Sequence, residues 1–392
     1  MKVCIIILIC IIFFLVGNVG VTFMNISQDY FIYFLWGYGL LILGIYKHCL
    51  TKIDWIAICI VASAFIWLCV RYFLGIRGEY LGTVCILALP AFLIAVFPHN
   101  LSIDSIKLKI ILTRLLAYIY LTECTIAIAE YVLQSHIFGW IDTTYHRGLV
   151  HFGMASGFRA VALFGSPLNN ALIVTIMMLF YLFNSGISFK RKIALWILGL
   201  TAVFCFNARG AIIVNLLSFA IFIVRYTTNR DKIAGKHYVL FTLITFATVW
   251  LMYHYGWGDR LWNLRDISSD SSINVRFRLF EYVSNIDWSN YLWGNSVESI
   301  RHEMSTLIGV RIIENFWILY IFHLGIVATL FFVCCYYVLC RFLLKPYQLF
   351  DKVVLAGAFL LLASSNNSLY SGFIPLFTFL FCCYVYQPTV LK

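Results

Sequence analysis

The residues best suited to chemistry in this chain are arginines set at the ends of apolar runs. Arg159 opens one run in Phe158–Arg159–Ala160–Val161, ahead of the breaker cluster Gly165–Ser166–Pro167–Leu168–Asn169–Asn170. Arg209 sits in Asn207–Ala208–Arg209–Gly210, a tight reversal between two further runs. A guanidinium at membrane depth carries a considerable desolvation cost and persists only if it snorkels, pairs or faces a wet cavity. No carboxylate lies close to either arginine in sequence, which leaves both for an anionic ligand. The rigid donor fork of arginine suits phosphate better than the point charge of lysine does. Arg276 and Arg278 add cations nearby, on opposite sides of a helix or on the same side of a strand. The alternative role for such arginines is a headgroup or topology anchor.

Glu314–Asn315 starts another apolar run. A carboxylate beneath arginines can act as general base toward a sugar hydroxyl, provided it reaches the proton within about 3 Å or through a water. Its other roles would be stabilising a helix N-terminus or balancing the arginines. Glu281 is a second acid candidate and Glu303 a weaker one, with Asn169 and Asn315 as secondary polar groups. His323 falls well inside the run and reads as a packing residue.

The elements that must position these groups are membrane spans. Of 392 residues, 62% are hydrophobic and 11% charged, and the mean hydropathy is +0.91. A helical span needs about 20 apolar residues. The long continuous runs disfavour a β-barrel, whose segments alternate over about 10 residues. Twelve spans are expected, with eleven as the alternative count. Those bearing on the arginines are Ile110–Leu133, Ala160–Phe183, Ile193–Phe206, Ala211–Val224 and Ile313–Leu339. Met1–Phe23 reads as a retained first span rather than a cleaved signal.

The basic residues orient these spans. All twelve lysines fall on one side of the hydropathy pattern, while eleven of the sixteen arginines fall on the other. Short cytoplasmic connectors carry the Lys/Arg excess. That puts Lys47, Lys52, Lys107, Lys109, Lys190, Lys192, Lys345, Lys352 and both termini inside. The chain then reads as one transmembrane domain over residues 1–392, with an external cap at 256–312 and a smaller external segment at 134–159. The cap is too long for a simple connection, and its aromatic content argues for a partly helical structure, with a helix over Ile273–Val283.

Several function classes are excluded on pattern. The net charge of +11 comes with no zinc-finger spacing or aromatic RNA-binding strand pair, so nucleic acid is not the partner. Walker, dinucleotide, G-x-S-x-G and H-E-x-x-H signatures are missing. Asp54 and Asp104 are isolated, and the thirteen cysteines sit mostly within apolar runs as small hydrophobes, so no metal or other cofactor is expected.

The stretches Arg159–Asn170, Asn207–Ala211, Asn274–Arg278 with Leu292–Trp293–Gly294, and Glu314–Asn315 with Leu324–Gly325–Ile326 together resemble the bacterial O-antigen polymerase and O-antigen ligase superfamily. The resemblance covers about Arg159 to Phe332. It implies an all-α polytopic fold like that of the membrane (type C) glycosyltransferases. It also implies a bacterial inner-membrane location, a periplasmic active site and an undecaprenyl-diphosphate-linked oligosaccharide as substrate. Arg159, Arg209, Arg276 and Arg278 would bind the diphosphate, and Arg209, Arg159 and Glu314 would be catalytic. Membrane lipids, a chain-length regulator and a flippase are the implied partners. Ligases carry a histidine where this chain has Glu314, which favours the polymerase branch. A ligase acting on lipid A core is the alternative within the family. A lipid or polysaccharide transporter is the alternative outside it, although transporters often show internal repeats and none is evident here.

Overall fold

The computed structural model describes residues 50–75, 80–97, 103–137, 158–184, 186–228, 235–258, 271–309 and 313–388. The two expected spans before residue 50, most of the 134–159 segment, and residues 259–270 and 310–312 of the cap lie outside the described residues. All regular structure among the described residues is helical. We number the helices α1 (Lys52–Phe73), α2 (Tyr80–Val96), α3 (Ile103–Leu133), α4 (Pro167–Phe183), α5 (Phe189–Cys205), α6 (Arg209–Thr228) and α7 (Gly235–His254). The remainder are α8 (Ser271–Asn285), α9 (Val297–Leu307), α10 (Phe316–Leu324), α11 (Ile326–Leu343), α12 (Leu349–Ser364), α13 (Ser368–Ser371) and α14 (Ile374–Val385).

Among the described residues three stretches are long and apolar enough to cross a membrane: Lys52–Phe73, Ile106–Leu133 and Ile326–Leu343. Around them run shorter apolar helices, among them α4, α14 and most of α7. Large apolar side chains cover the exterior, including Trp55, Phe65 and Phe73 of α1, Phe246 and Trp250 of α7, and Leu330 of α11. A contiguous exterior of this kind suits lipid rather than water. The centre is filled by α4, whose residues from Asn170 to Phe183 are all buried. Being apolar all round, α4 can only be an interior helix. Local chemistry fixes the starts of the elements. Thr51 and Asp54 form a reciprocal capping box on α1, and Pro167 opens α4 without a lost donor.

The bundle has two chemically different ends. At one, Lys109 Nζ donates to Gln387 Oε1 at 2.8 Å, and Gln387 Nε2 donates to the Leu343 carbonyl. Lys192 Nζ caps the Leu182 carbonyl of α4 at 2.7 Å. Arg225 pairs with Asp351 and donates to Gln348 Oε1 at 2.7 Å. At the other end lie Arg71, Arg159 and Arg209. On α5 and α6, then, Lys192 and Arg225 stand at the ends opposite Arg159 and Arg209.

Two expected spans are built differently. The run Ala160–Phe183 is helical only from Pro167; residues 160–164 are buried but irregular. The run Ile313–Leu339 is not one helix either. It breaks at Gly325, whose φ of +92° is a conformation open to glycine and strained for other residues. The first piece, α10, has one face on the main core (Phe316, Tyr320 and Leu324) and another on a separate cluster (Ile318 and Phe322). Each set follows the four-residue spacing of one helix face. That second cluster, with Leu279, Tyr282, Tyr291, Ile300 and Met304, is the core of the cap. A helix over Ile273–Val283 was the expectation there, and α8 spans Ser271–Asn285.

The break at Gly325 is held by α1. Arg71, fully buried at 0% exposure, donates to the carbonyls of His323 and Asn295. Trp67 Nε1 donates to the Leu324 carbonyl at 2.8 Å, and the guanidinium lies over the Trp67 ring, 4.8 Å from its centroid. The carbonyls freed where α10 stops are thus satisfied by side chains, which a buried helix end requires. The cap chain crosses at the same point. Asn295 N–H donates to the Phe322 carbonyl at 2.7 Å, and a Cβ on Gly294 would lie 2.6 Å from Gly325 N. The two glycines allow the backbones to touch.

Candidate functional site

The site is built from the irregular segment 158–166, the turn 205–209 and the start of α10. Irregular backbone inside a membrane protein is tolerated only where its polar groups are satisfied or it lines a cavity. In segment 158–166 the satisfaction comes from α3. Glu130 Oε2 accepts from Val161 N–H at 2.7 Å and Ala162 N–H at 3.0 Å. Glu123 Oε2 accepts from Leu163 N–H at 3.1 Å. Asn170 completes the row, its Oδ1 accepting from Phe164 N–H at 3.1 Å and its Nδ2 donating to the Val161 carbonyl. Glu123 and Glu130 are seven residues apart, two helical turns, and so stand one above the other on one face of α3. Glu130 also accepts from Ile137 N–H, and His136 Nδ1 lies 3.5 Å from it.

This scaffold fixes the approach of Arg159. Ala160 N–H donates to the Cys205 carbonyl at 3.0 Å, and Arg159 Nε donates to the Phe206 carbonyl at 3.1 Å. The segment carrying Arg159 is therefore stitched to the turn that delivers Arg209. Asn207, at φ +51°, provides the left-handed residue that the reversal needs; asparagine tolerates that conformation better than most residues. Arg209 is then the first residue of α6 and partly exposed. Next to it, a Cβ on Gly210 would lie 3.2 Å from Ser365 Oγ.

Ser365 follows the last residue of α12, and that corner reaches α10. Asn315 Nδ2 donates to the Ser364 carbonyl at 3.3 Å, Trp317 Nε1 donates to Ser364 Oγ at 2.7 Å, and Phe316 N–H donates to the Asn366 carbonyl at 3.2 Å. Asn315 also caps α10, its Oδ1 accepting from Ile318 N–H at 3.1 Å. A continuous chain of contacts runs from Arg159 through the Arg209 turn and the 364–366 corner to Glu314–Asn315. Three residues far apart in sequence thus share one end of the bundle.

The other candidates fall elsewhere. Arg276 and Arg278 lie on α8, which settles the helix-or-strand alternative in favour of helix. Arg278 is exposed and faces Gly309, where a Cβ would lie 3.9 Å from its Nη1. Glu281 is exposed, and its backbone carbonyl serves Ser284 and Asn285. Asn169 is partly exposed beside the buried Asn170. His323 is a packing residue, its ring 6.4 Å edge-on from Trp67. No carboxylate lies close to Arg159 along the sequence; in space Glu130 holds Val161 and Ala162, two and three residues further on. Glu123, Glu130 and Asn170 were not singled out from the sequence. The signal was present as two acids with seven-residue spacing in an apolar run, since acids inside spans mark interior or functional positions.

The cap holds a second polar constellation. Tyr282 and Tyr291 rest on Phe322 of α10, at centroid distances of 6.1 and 4.6 Å. Their hydroxyls lie 3.2 Å apart and both meet Glu303, Tyr291 at 3.3 Å from Oε2. Burial, together with the adjoining Glu303 and Tyr291, raises the Tyr282 phenol above its ordinary value, and burial raises that of Tyr291. Both phenols are therefore protonated donors at neutral pH. They border a cavity of about 510 Å3 with Asn285, Ile286, Asp287, Asn295 and Leu307. Among the described residues no group of three or more His, Cys, Asp or Glu side chains could hold a metal ion.

No protein-family model matches this chain, and comparison with curated proteins and with solved structures found no match.

Proposed function

We propose that the protein is a membrane glycosyltransferase of the polysaccharide-polymerase kind, moving oligosaccharide from undecaprenyl diphosphate to a second lipid-linked repeat unit. In this reading a hydroxyl oxygen of the acceptor attacks the anomeric carbon of the donor. The bond from that carbon to the phosphate oxygen breaks, and the lipid diphosphate leaves with the bonding electron pair. Arg159 and Arg209 grip the diphosphate and stabilise its growing charge, as preoriented cations do without large reorganisation. Glu314 takes the hydroxyl proton. Arg276 or Arg278 would close over the donor from the cap. The reaction is exergonic from an activated donor, so it requires neither nucleotide nor metal.

One observation carries the reading. The Arg159 segment is bonded to the Arg209 turn, and that turn packs on the corner that seats Asn315. The reading also assigns the arginine end of the bundle to the periplasm and the lysine end to the cytoplasm of a bacterial inner membrane. A flippase would supply the lipid-linked units, and a chain-length regulator would act on the product. Transfer to lipid A core, the ligase alternative, differs only in acceptor.

The test is incubation of purified full-length protein with synthetic undecaprenyl-diphosphate repeat units in detergent or vesicles, without an ion gradient. A ladder of lengthened glycans is expected. Arg209→Ala should lower ladder formation at least 100-fold, about 2.7 kcal/mol of transition-state stabilisation, while the variant elutes and melts as the parent does. Normal polymerisation by folded Arg209→Ala would refute the diphosphate role.

A further inference from the structure

We infer that the cap cleft formed by Tyr282, Asn285, Asp287, Tyr291, Asn295 and Glu303 binds an uncharged sugar residue of the acceptor glycan. The identity of the glycan as acceptor rests on the polymerase reading above; the binding itself does not depend on the arginine chemistry.

The chemistry of the cleft selects its occupant. Its volume of about 510 Å3 falls in the range of small-molecule sites, about 300–1,000 Å3. Among the described residues the lining carries amides, carboxylates and phenols, with no lysine, arginine or histidine. Such walls match hydroxyl groups, each of which donates one hydrogen and accepts others. Asp287 and Glu303 on the same walls disfavour an anionic sugar, because like charges brought together in a partly dry site repel. An uncharged hexose or N-acetylhexosamine fits both conditions.

Glu303 supports a ligand role beyond the cap's own packing. It is half-buried against Tyr282 and Tyr291, both members of the apolar cap cluster, where a carboxylate carries a desolvation cost. Tyr282 and Tyr291 both donate to it. An ionised carboxylate has about four acceptor positions, so two phenols leave capacity for a hydroxyl from the cleft. The phenols also fix its orientation, as a neighbouring shell of hydrogen bonds does for a binding group.

The placement agrees with an acceptor subsite. Asn295 is bonded to Phe322 near one end of α10, and Asn315 caps the other end. Seven residues of helix separate those two points, about 10 Å at 1.5 Å per residue. A sugar held in the cleft would therefore sit about one short helix away from Glu314–Asn315.

Binding of soluble neutral oligosaccharides, two to four residues long and containing hexose or N-acetylhexosamine, would be measured by calorimetry on full-length protein in detergent. Matched oligosaccharides with a uronic acid serve as the comparison. We expect saturable binding of at least one neutral member and at least 10-fold weaker binding of its uronic acid counterpart. Glu303→Gln should weaken binding at least 10-fold, and Asn285→Trp, which fills the cleft from an exposed position, should abolish it even if Glu303→Gln fails to fold. Arg209→Ala should bind as the parent does. Absence of binding by the parent, or unchanged binding in folded Glu303→Gln and Asn285→Trp, overturns the cleft proposal. Glycan binding without any ladder overturns the polymerase reading and leaves the cleft standing. A ladder whose acceptor KM is unmoved by Asn285→Trp does the reverse.

Discussion

The two ends of the bundle treat positive charge in opposite ways. At the lysine end, cations settle onto the termini of regular helices. Lys192 caps α4, Arg225 pairs with Asp351 in the first turn of α12, and Lys109 meets Gln387 just beyond α14. At the arginine end the helices stop early, and guanidinium groups reach backbone carbonyls at helix C-termini and in the segment beside them, Arg71 at His323 and Asn295 and Arg159 at Phe206. The first arrangement finishes helices; the second satisfies backbone carbonyls where helices have been given up. Departures from regular structure concentrate where a protein needs function rather than stability, and here they concentrate at one end.

That contrast can be broken most forcefully at Glu130. Glu130→Ala removes the acceptor for three backbone N–H groups, and buried donors left unsatisfied cost about 1–3 kcal/mol each. We expect a loss of 3 kcal/mol or more in detergent unfolding, with transfer abolished. Next comes Arg71→Ala, which strips the freed carbonyls at the α10 break. A loss of about 2–4 kcal/mol is expected, with partial recovery in Arg71→Lys, since lysine brings charge without the fork. Limited proteolysis of the cap reports whether its seat has loosened.

Three substitutions sharpen the comparison at smaller scale. Gly294→Ala meets backbone and also sits at φ +75°, whereas Gly75→Ala at φ +69° meets nothing within 4 Å. The left-handed conformation alone costs about 1–2 kcal/mol, so thermal unfolding should separate Gly294→Ala from Gly75→Ala by the cost of the collision. At the lysine end, Arg225→Ala leaves the buried Asp351 without its cation; it should cost about 1–3 kcal/mol and leave transfer unchanged. A transfer defect there equal to that of Glu130→Ala would remove the distinction between the ends.

Much of the architecture is legible in the sequence because hydropathy and charge act over long stretches. The span expected at Ala211–Val224 falls inside α6, Arg209–Thr228. The breaks were less legible. Gly325 is one glycine in a run that reads as continuous hydrocarbon, and only the contacts of Arg71, Trp67 and Gly294 explain why the helix ends there. Residues 160–164 are as apolar as a span, and their irregular path follows from Glu123, Glu130 and Asn170, none of them adjacent in sequence to the segment's start. Arg159, Arg209 and Glu314 were identifiable one by one. Their common location depends on the 364–366 corner, for which the sequence offered only a serine-rich interruption.

At Gly294 and Gly325 one main chain rests on another, so the seam there is specified by the lack of side chains rather than by their fit. Tyr291, Ile300 and Met304 moor the cap on α10, whereas substitutions at exposed positions such as Asn285 and Asp287 would reshape the rim of the cap cleft without touching that seam. The same foundation would then accommodate different guests as the surrounding sequence drifts.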